Sequence, residues 1–481
     1  MPTESLDLVI RGGTVVTASG QFGADVAVRD GKIAMLGAGL PRGAREIAAE
    51  GRYVLPGGVD THCHIEQISG AGLMNADTFE TATRSAAFGG TTTVVSFAAQ
   101  HPGKRIRDVV ADYAVLADRG ALIDYAFHMI VADISGENLT HDIPALIADD
   151  HRSIKIFTTY DKVRLDDPSI LSVLDAARAG GALVCFHAEN DGLIRHATGR
   201  LLAEGKTAPR YHALSHPRAA EIEALERMCR FSEFSGQPIM LFHVSTREGA
   251  EIVRAARTRG ARVSAETCPH YLFMTADVLD QPGNQAAAFM CSPPQRTPDD
   301  QAALWQALAR GDLQIVTSDH APYRMDATGK FAHGTDAPFN RIANGMPGLE
   351  VRLPLMFNAM VSEGRLGIEK FVELTSTAPA DIFGLAGKGR IAPGADADIA
   401  IWDPGKRVTF GVNDLHDNTG YNPFAGHSVT GWPETVLSRG EVVIGNGKLC
   451  GSPGRGQRVR MAVSQAMRPA RGSEGAALGT K

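Results

Sequence analysis

The chain of 481 residues is longer than one small hydrophobic core requires, so its length predicts one large domain with an appendage, or two to three domains. Its 44% hydrophobic content, 21% charged content and net charge of -6 are ordinary for a soluble protein and disfavour nucleic acid or an anionic membrane as a partner. The sequence has neither a recognisable secretory signal nor an apolar run long enough to cross a membrane. The six scattered cysteines form no C-x-x-C pair. Together these features predict a cytoplasmic location with free thiols.

In chain order, the first predicted elements are short strands with glycine turns, over residues 6–55. LDLVIRGGTVVT turns at a Gly-Gly pair, and DVAVRDGKIAMLG turns at an Asp-Gly pair, which is a good hairpin signal. Near the other end, ADIAIWDP and RGEVVIGNGKLC repeat the same pattern. The sequence therefore predicts a small β-sandwich domain formed by both chain ends, from residues 1–55 and 386–455.

Between these β-rich ends, apolar runs alternate with segments whose apolar residues recur at helical spacing. The runs are VLPGGVDTH, TTTVVSFA, IDYAFHMIV, SIKIFTTY, GALVCFHAE, PIMLFHVST, RVSAETCPH and LQIVTSDHA. Near-continuous apolar strands that alternate with helices are typical of a closed parallel barrel, so we predict an α/β fold with a (β/α)8 TIM-like barrel over residues 56–385. A doubly wound open sheet is the alternative. Residues 456–481, rich in Gly, Ala, Ser and Arg, are predicted to form a C-terminal tail.

The stretch PGGVDTHCHIEQ places Asp60, His62 and His64 at alternate positions. Alternate residues of a strand point to the same face, so a carboxylate and two imidazoles would lie side by side. Hydrophobic packing does not explain this group, because burying such polar side chains without partners is costly. Metal binding does explain it, because neutral imidazole is a common ligand. The alternative is a polar strand end with two histidines there by chance.

Other runs carry polar residues that a barrel would bring to the same place. Chemistry in such barrels collects at the C-terminal ends of the strands, and Lys155, His187, His243 and Asp319 fall in or at the ends of four more runs. A lone histidine at a strand end is usually structural, but several strand ends together indicate a metal centre. A buried ammonium such as that of Lys155 is costly unless it is paired, deprotonated or modified, and a carboxylated lysine could bridge two cations.

The motifs GGVDTHCH, SIKIFTTYD, CFHAEN, LFHVST, ETCPHYL, CSPPQR, TSDHAP and NGMPGLE, in this order, resemble the binuclear amidohydrolase superfamily and, within it, the dihydropyrimidinase/hydantoinase branch. The resemblance covers roughly residues 6–450. It implies two divalent metal ions, expected to be Zn²⁺, one held by His62, His64, carboxylated Lys155 and Asp319 and the other by carboxylated Lys155, His187 and His243. It also implies that Asp60 supports the ligands without being one, and that the protein is a homotetramer whose C-terminal tail helps at a subunit contact.

The chemistry of these residues suits amide hydrolysis. Two metals can generate hydroxide near neutral pH and polarise a carbonyl, and Asp319 can take a proton and pass it to the leaving nitrogen. By resemblance, the catalytic Tyr160 donates its hydroxyl to the developing oxyanion, and Ser292 and Asn344 hold the ring amide of the substrate. Spacing alone favours a core or rim tyrosine and two turn residues at these positions.

The sequence therefore predicts a metal-dependent cyclic amidase that opens a small five- or six-membered cyclic amide to an N-carbamoyl amino acid. Dihydropyrimidines and 5-substituted hydantoins are the leading substrates. The alternatives are a cyclic-imide hydrolase and an allantoinase, and a non-catalytic scaffold relative is disfavoured because every ligand position is occupied. Glu66 and Gln67 make their loop more polar than the loop of relatives that act on bulky hydantoins, so the preferred ring substituent stays open.

Overall fold

The computed structural model describes residues 5–69 and 72–469, in which two β-sheets organise the chain. The strands are β1 (Leu6–Thr17), β2 (Gly20–Arg29), β3 (Lys32–Gly37), β4 (Gly43–Ala48), β5 (Tyr53–Pro56), β6 (Gly58–Cys63), β7 (Thr91–Ala99), β8 (Asp124–Ile130), β9 (Ser153–Phe157), β10 (Leu183–His187), β11 (Ile239–Leu241), β12 (Val263–Thr267), β13 (Ile315–Val316), β14 (Ile399–Thr409), β15 (Ser428–Ser438), β16 (Glu441–Gly445) and β17 (Lys448–Leu449).

The α-helices are α1 (Phe79–Phe88), α2 (Ile106–Gly120), α3 (Ile143–Ala148), α4 (Asp167–Gly180), α5 (Asp191–Ala203), α6 (His212–Ser215), α7 (Arg218–Ser235), α8 (Arg247–Thr258), α9 (Pro269–Phe273), α10 (Pro298–Arg310), α11 (Arg352–Phe357), α12 (Ile368–Val372) and α13 (Ala378–Ile382). Short 3₁₀ and π-helical turns join several of them. Over the described ranges, no helix combines the length and the apolar character that a membrane crossing needs.

The first sheet is the predicted barrel. Strands β6 to β13 are parallel and lie side by side in chain order, and each lies within one of the eight apolar runs, to within one residue. The two edges meet where the backbone of Cys63 bridges that of His320, and the amide of His64 donates to the His320 carbonyl at 2.7 Å. The predicted (β/α)8 barrel is confirmed, and the open-sheet alternative is wrong because this contact closes the sheet.

Side-chain chemistry at the helix ends explains where the barrel helices begin and end. At the start of α10, the hydroxyl of Thr297 accepts from the amide of Asp300, and the Asp300 carboxylate accepts from the Thr297 amide. Such reciprocal capping satisfies amides that have no partner inside the helix. Gly311 ends the same helix with a φ of 77°, which a residue without a Cβ adopts at little cost.

The second sheet joins both ends of the chain, as predicted. Its strand order is β17-β16-β15-β14-β5-β1-β2-β3, with β4 on β1, and the pairing of β5 with β14 connects the two ends. Alternate residues face two different cores: Val54 and Ile401 pack inside the sheet's own core, whereas Leu55 and Trp402 pack against the barrel core. The limits at residues 55/56 and 385/386 stay predictions.

The start of the predicted C-terminal tail packs against the barrel. The amide of Tyr125 donates to the Gln457 carbonyl at 3.0 Å, and the amide of Val459 donates to the Tyr125 carbonyl at 2.7 Å. Met461 and Met467 are buried beyond these contacts. The chain from 456 to 469 is therefore docked on the barrel, and the part of the predicted tail from 470 to 481 lies outside the described residues.

Candidate metal centre and active site

All the predicted ligand residues line one cavity of about 490 Å³ at the C-terminal ends of the barrel strands: His62, His64, Lys155, His187, His243 and Asp319. Three of them form a tight group whose ligand atoms all lie within 4.8 Å of one another. Asp319 Oδ1 is 3.1 Å from His62 Nε2 and 3.6 Å from His64 Nε2. This donor set of two imidazoles and a carboxylate suits a divalent metal such as zinc.

His187 and His243 form the second part of the cavity floor. Nδ1 of His187 lies 2.9 Å from Nε2 of His243. Nε2 of His187 lies 2.8 Å from a carboxylate oxygen of Glu189. Burial lowers the pKa of both imidazoles, which keeps them neutral. Neutral imidazole is the form that binds metals, so this pair also fits the predicted role.

Lys155 lies on β9 with only 1% of its surface exposed. Its Nζ has no hydrogen-bond partner among the described residues and sits 3.9 Å from the centroid of the Phe242 ring. Burial lowers the pKa of Lys155 to about 8. An unpartnered buried amine is costly as an ammonium, so this site fits an amine that is modified and bound to metal.

Oxygen atoms hold the second ring nitrogen of three of these histidines. Glu266 on β12 contacts Nδ1 of His62, and the side-chain oxygen of Gln67 lies 2.7 Å from Nδ1 of His64. Glu189 does the same for His187. Metal-binding histidines commonly donate their second N–H to an oxygen, which fixes the ring and raises its basicity. The sequence analysis missed Glu189 and Glu266: a carboxylate at the end of an apolar run was a signal available for Glu189, whereas Glu266 lies in the middle of its run.

Asp60 lies behind the ligands and does not line the cavity. One carboxylate oxygen accepts from the amides of His62 at 3.1 Å and Ser318 at 3.3 Å. The other oxygen lies 3.0 Å from Nε of Arg352, and both side chains are fully buried. Asp60 therefore ties the strand that carries His62 to the segment that carries Asp319. Arg352, the cation that balances Asp60, was also missed.

The backbone is strained at three residues that line the cavity. The φ angles of Tyr160, His243 and Asp319 are 72°, 43° and 46°, in the left-handed region that residues with a Cβ disfavour. Each such residue costs about 1–3 kcal/mol and persists only where the surrounding structure enforces it. Strain of this kind clusters at functional sites and aims these three side chains into the cavity.

The three predicted substrate-binding residues meet on one wall of the cavity. Nδ2 of Asn344 donates to Oγ of Ser292 at 3.0 Å, and the Tyr160 hydroxyl interacts with both side chains. Burial raises the pKa of Tyr160, so its hydroxyl keeps its proton and can donate it. The arrangement can present a hydroxyl donor and amide groups to a ring held above the histidines.

The loop after His64 contributes one of its two polar residues to the cavity. Glu66 turns away: its carboxylate accepts from the amide of Phe79 at 3.1 Å, near the start of α1, and pairs with Arg119 at 3.1 Å. Gln67 lines the cavity, where it holds His64. Glu66 therefore does not line the cavity, because its carboxylate holds the start of α1 and pairs with Arg119.

Comparisons with known proteins agree with this geometry. Residues 53–443 match the amidohydrolase family. A D-hydantoinase of Rhizobium radiobacter is 40% identical over 454 residues, covering 94% of this chain and 98% of that protein. A D-hydantoinase of Streptomyces coelicolor is 41% identical over 465 residues, covering 95% and 98%. The crystal structure of dihydropyrimidinase from Brevibacillus agri aligns with a TM-score of 0.91 and 37% identity, over 95% of this chain and 99% of that chain.

Proposed function

This chain belongs to the hydantoinase branch of the amidohydrolase family, and we propose that it opens dihydropyrimidine or 5-substituted hydantoin rings with the help of two divalent metal ions. The observation that carries the proposal is the cavity itself. Side chains that suit a divalent metal form its floor, and Tyr160, Ser292 and Asn344 form a wall that can hold a ring amide. The product would be an N-carbamoyl amino acid.

We propose Zn²⁺ as the metal and a carboxylated Lys155 as the bridge between two ions. The ligands of one ion would be His62, His64, Lys155 and Asp319, and those of the other Lys155, His187 and His243. The neutral Lys155 amine would attack CO₂, forming an N–C bond and releasing one proton, to give an anionic carbamate. Its burial, its lowered pKa of about 8 and its lack of a hydrogen-bond partner among the described residues support this step.

When bound, two such ions supply hydroxide near neutral pH and polarise the carbonyl. In our proposal, side chains of the protein orient the substrate, stabilise the developing charge and transfer the proton. Ser292 and Asn344 orient the ring amide, and Tyr160 donates its hydroxyl proton in a hydrogen bond to the carbonyl oxygen as negative charge develops there. Asp319 accepts a proton from the attacking water and delivers it to the ring nitrogen as the C–N bond breaks. One water is added, and the ring opens to a carboxylate and a carbamoyl group.

We further propose a homotetramer in the cytoplasm. The family resemblance supports the assembly, and the six unpaired cysteines fit a reducing compartment. Light scattering on the full chain and on a chain ending at residue 469 would test the assembly and the contribution of the last residues. A monodisperse monomer in both preparations would contradict it.

The experiment that tests the proposed function combines metal analysis with a substrate panel. Dihydrouracil, a 5-substituted hydantoin, allantoin and a cyclic imide are incubated with the enzyme, and the ring-opened products are identified by mass spectrometry. We expect N-carbamoyl products from the first two, two divalent metals per chain, and loss of activity on chelation that added metal restores. Lys155→Ala should lose most activity and at least one metal.

Crystallography and elemental analysis decide the state of Lys155, because a carbamate is easily lost in intact mass spectrometry. A single metal beside a bare Lys155 amine would refute the proposed centre. A metal-loaded enzyme that opens none of the four rings would refute the proposed activity.

A further inference from the structure

A second buried lysine lies beside the cavity, away from the proposed metal ligands. Lys330 belongs to the long connection from β13 to α11, and 1% of its surface is exposed. Its Nζ donates to the carbonyl of Ala343 at 2.9 Å and to the carbonyl of Gly345 at 2.8 Å. These two residues flank Asn344, the residue that our proposed function assigns to the ring amide.

The charge of Lys330 is not balanced by an acid. Within residues 5–69 and 72–469 it forms no ion pair, and its hydrogen bonds go to backbone carbonyls. The Cys291 thiol and the His212 imidazole face it, and burial lowers the pKa of Lys330 to about 7. An unpaired buried cation costs stability, so stabilising the fold is a poor explanation for its presence.

The segment that Lys330 contacts is held on its other sides as well. The amide of Gly345 donates to the carbonyl of Met290 at 2.9 Å, and Asn344 reaches Ser292. A Cβ on Gly345 would lie 2.3 Å from the carbonyl oxygen of Ala321, so the backbone passes closer than any side chain permits. Lys330 supplies the remaining contacts, one on each side of Asn344.

Lys330 itself is presented by a tight turn. Its amide donates to the carbonyl of Arg324 at 2.8 Å, and a Cβ on Gly329 would lie 2.3 Å from that same oxygen. The next residue, Phe331, packs in an apolar cluster with Phe339 and Met290. The ammonium is therefore held at a fixed place relative to the backbone of Asn344.

We propose that Lys330 is a positioning residue for substrate binding, which fixes the backbone and side chain of Asn344 through the carbonyls of Ala343 and Gly345. The inference rests on the proposed function, because it needs a ring amide at Asn344. Binding groups must be held in place by their neighbours, because a displaced group binds the substrate and the transition state more weakly alike. An ammonium suits this task because it donates to several carbonyls at once.

The test compares Lys330→Met with Lys330→Gln. Methionine has a similar length and no donor, whereas the glutamine amide has two donors and can restore contacts to both carbonyls. When Asn344 moves, the substrate and the transition state lose the same binding free energy. Lys330→Met should therefore raise KM for the cyclic amide at least about tenfold and change kcat less than about threefold. Lys330→Gln should raise KM by only about three- to fivefold, and both variants should keep the metal content of the wild type.

Lys388→Met is the matched control, because Lys388 is equally buried and lies at the opposite end of the barrel. Its KM should equal that of the wild type on folded, metal-loaded protein. A KM for Lys330→Met within twofold of the wild type, or an equal rise in all three variants, would overturn the inference. Should Lys330→Met fail to fold, Lys330→Gln decides alone, and an unchanged KM overturns the proposal. A wild-type enzyme that opens no ring overturns the proposed function, and the inference with it.

Discussion

The environment of the Tyr160 hydroxyl keeps this phenol protonated. Burial raises its pKa, and the nearby carboxylate of Glu189 raises it further, so the phenol does not ionise near neutral pH. Its positive φ of 72° is retained although it costs free energy, which fits a side chain whose direction matters. Burial also lowers the pKa of His187 and His243 and keeps both imidazoles neutral.

Tyr160→Phe should lower kcat by about 10²–10³, because one donor to the developing oxyanion is removed while the ring stays in place. KM should change less, since the hydroxyl acts mainly in the transition state. Steady-state kinetics on dihydrouracil and a hydantoin, with metal content measured on the same batch, provide the check. Tyr323→Phe is the matched control, because Tyr323 also lines the cavity, and its kcat should stay within about threefold. A near-normal kcat for fully metal-loaded Tyr160→Phe would contradict the assignment.

Glu266→Gln should weaken metal binding by about 10- to 100-fold, because it removes the carboxyl group that contacts Nδ1 of His62 and fixes the direction of that ring. Competition with a chelator, followed by metal analysis, measures the loss. Glu350→Gln makes the same change at another buried glutamate, which contacts His416 instead of a proposed ligand, and should leave metal affinity unchanged. Equal affinities in the two variants would show that Glu266 plays no part in holding the metal.

At the scale of secondary structure, the docked C-terminal segment pairs with the start of β8 through one backbone bridge. The backbones of Arg458 and Tyr125 form a parallel bridge, and the amide of Met461 donates to the Asp150 carbonyl at 3.1 Å. Arg458 also donates to Nε2 of His151 at 2.5 Å, so this ring nitrogen must be unprotonated. Burial, followed by the charge of Arg458, lowers the pKa of His151 to about 4.

Acid should therefore loosen this segment. The folded-state pKa of His151, about 4, lies below its ordinary value of 6.5, so the unfolded state binds more protons between these pH values. The stability contribution is fully present above pH 6.5 and falls as the pH drops towards 4. Hydrogen exchange at the amides of Val459 and Met461, corrected for intrinsic rates, should show lost protection between pH 7 and pH 5. His151→Gln keeps an acceptor for Arg458 but cannot take up this proton, so it should flatten the pH dependence. An identical dependence in both proteins would rule out His151 as the cause.

At the scale of the whole molecule, one buried lysine joins the barrel to the terminal sheet. Nζ of Lys388 lies 2.5 Å from Asp124 at the start of β8, 2.9 Å from Asp396 and 2.8 Å from Asp398. The three carboxylates are grouped closely enough to hold a metal, but the lysine ammonium already satisfies them. Buried carboxylates keep their charge only when they are paired, so this one cation supports all three.

Lys388→Met should destabilise the protein by about 3–5 kcal/mol, because it leaves the buried Asp398 without a cation, while Asp124 keeps Arg439 and Asp396 keeps Lys32. The free energy of unfolding by urea measures this change. Lys32→Met is the control: Lys32 also pairs with Asp396, at 2.5 Å, but 54% of its side chain is exposed, so the loss should be small. The kcat of folded, metal-loaded Lys388→Met should match the wild type, since Lys388 is remote from the cavity. Equal stabilities for the two variants would contradict this role for Lys388.

The sequence by itself determined the eight barrel strands, the β-rich union of the two chain ends and the nine predicted site residues that meet in the cavity. The physical reason is local: strand periodicity decides which side chains share a face, and parallel strands bring their C-terminal ends to one place. His62 and Asp319 could be placed together on this ground, although they are far apart in the chain. The metal-binding roles of these residues stay predictions.

Only the tertiary structure decided which residues hold the cavity side chains in place. Glu266 contacts His62 across 204 residues, and Arg352 pairs with Asp60, yet neither pairing leaves a periodic or spacing signal in the chain. Lys330 likewise reads in the sequence as an ordinary loop lysine, and its burial against the carbonyls around Asn344 depends on how the loop folds over the barrel. Contacts between distant residues arise from packing, and packing is fixed by the whole fold and not by any one segment.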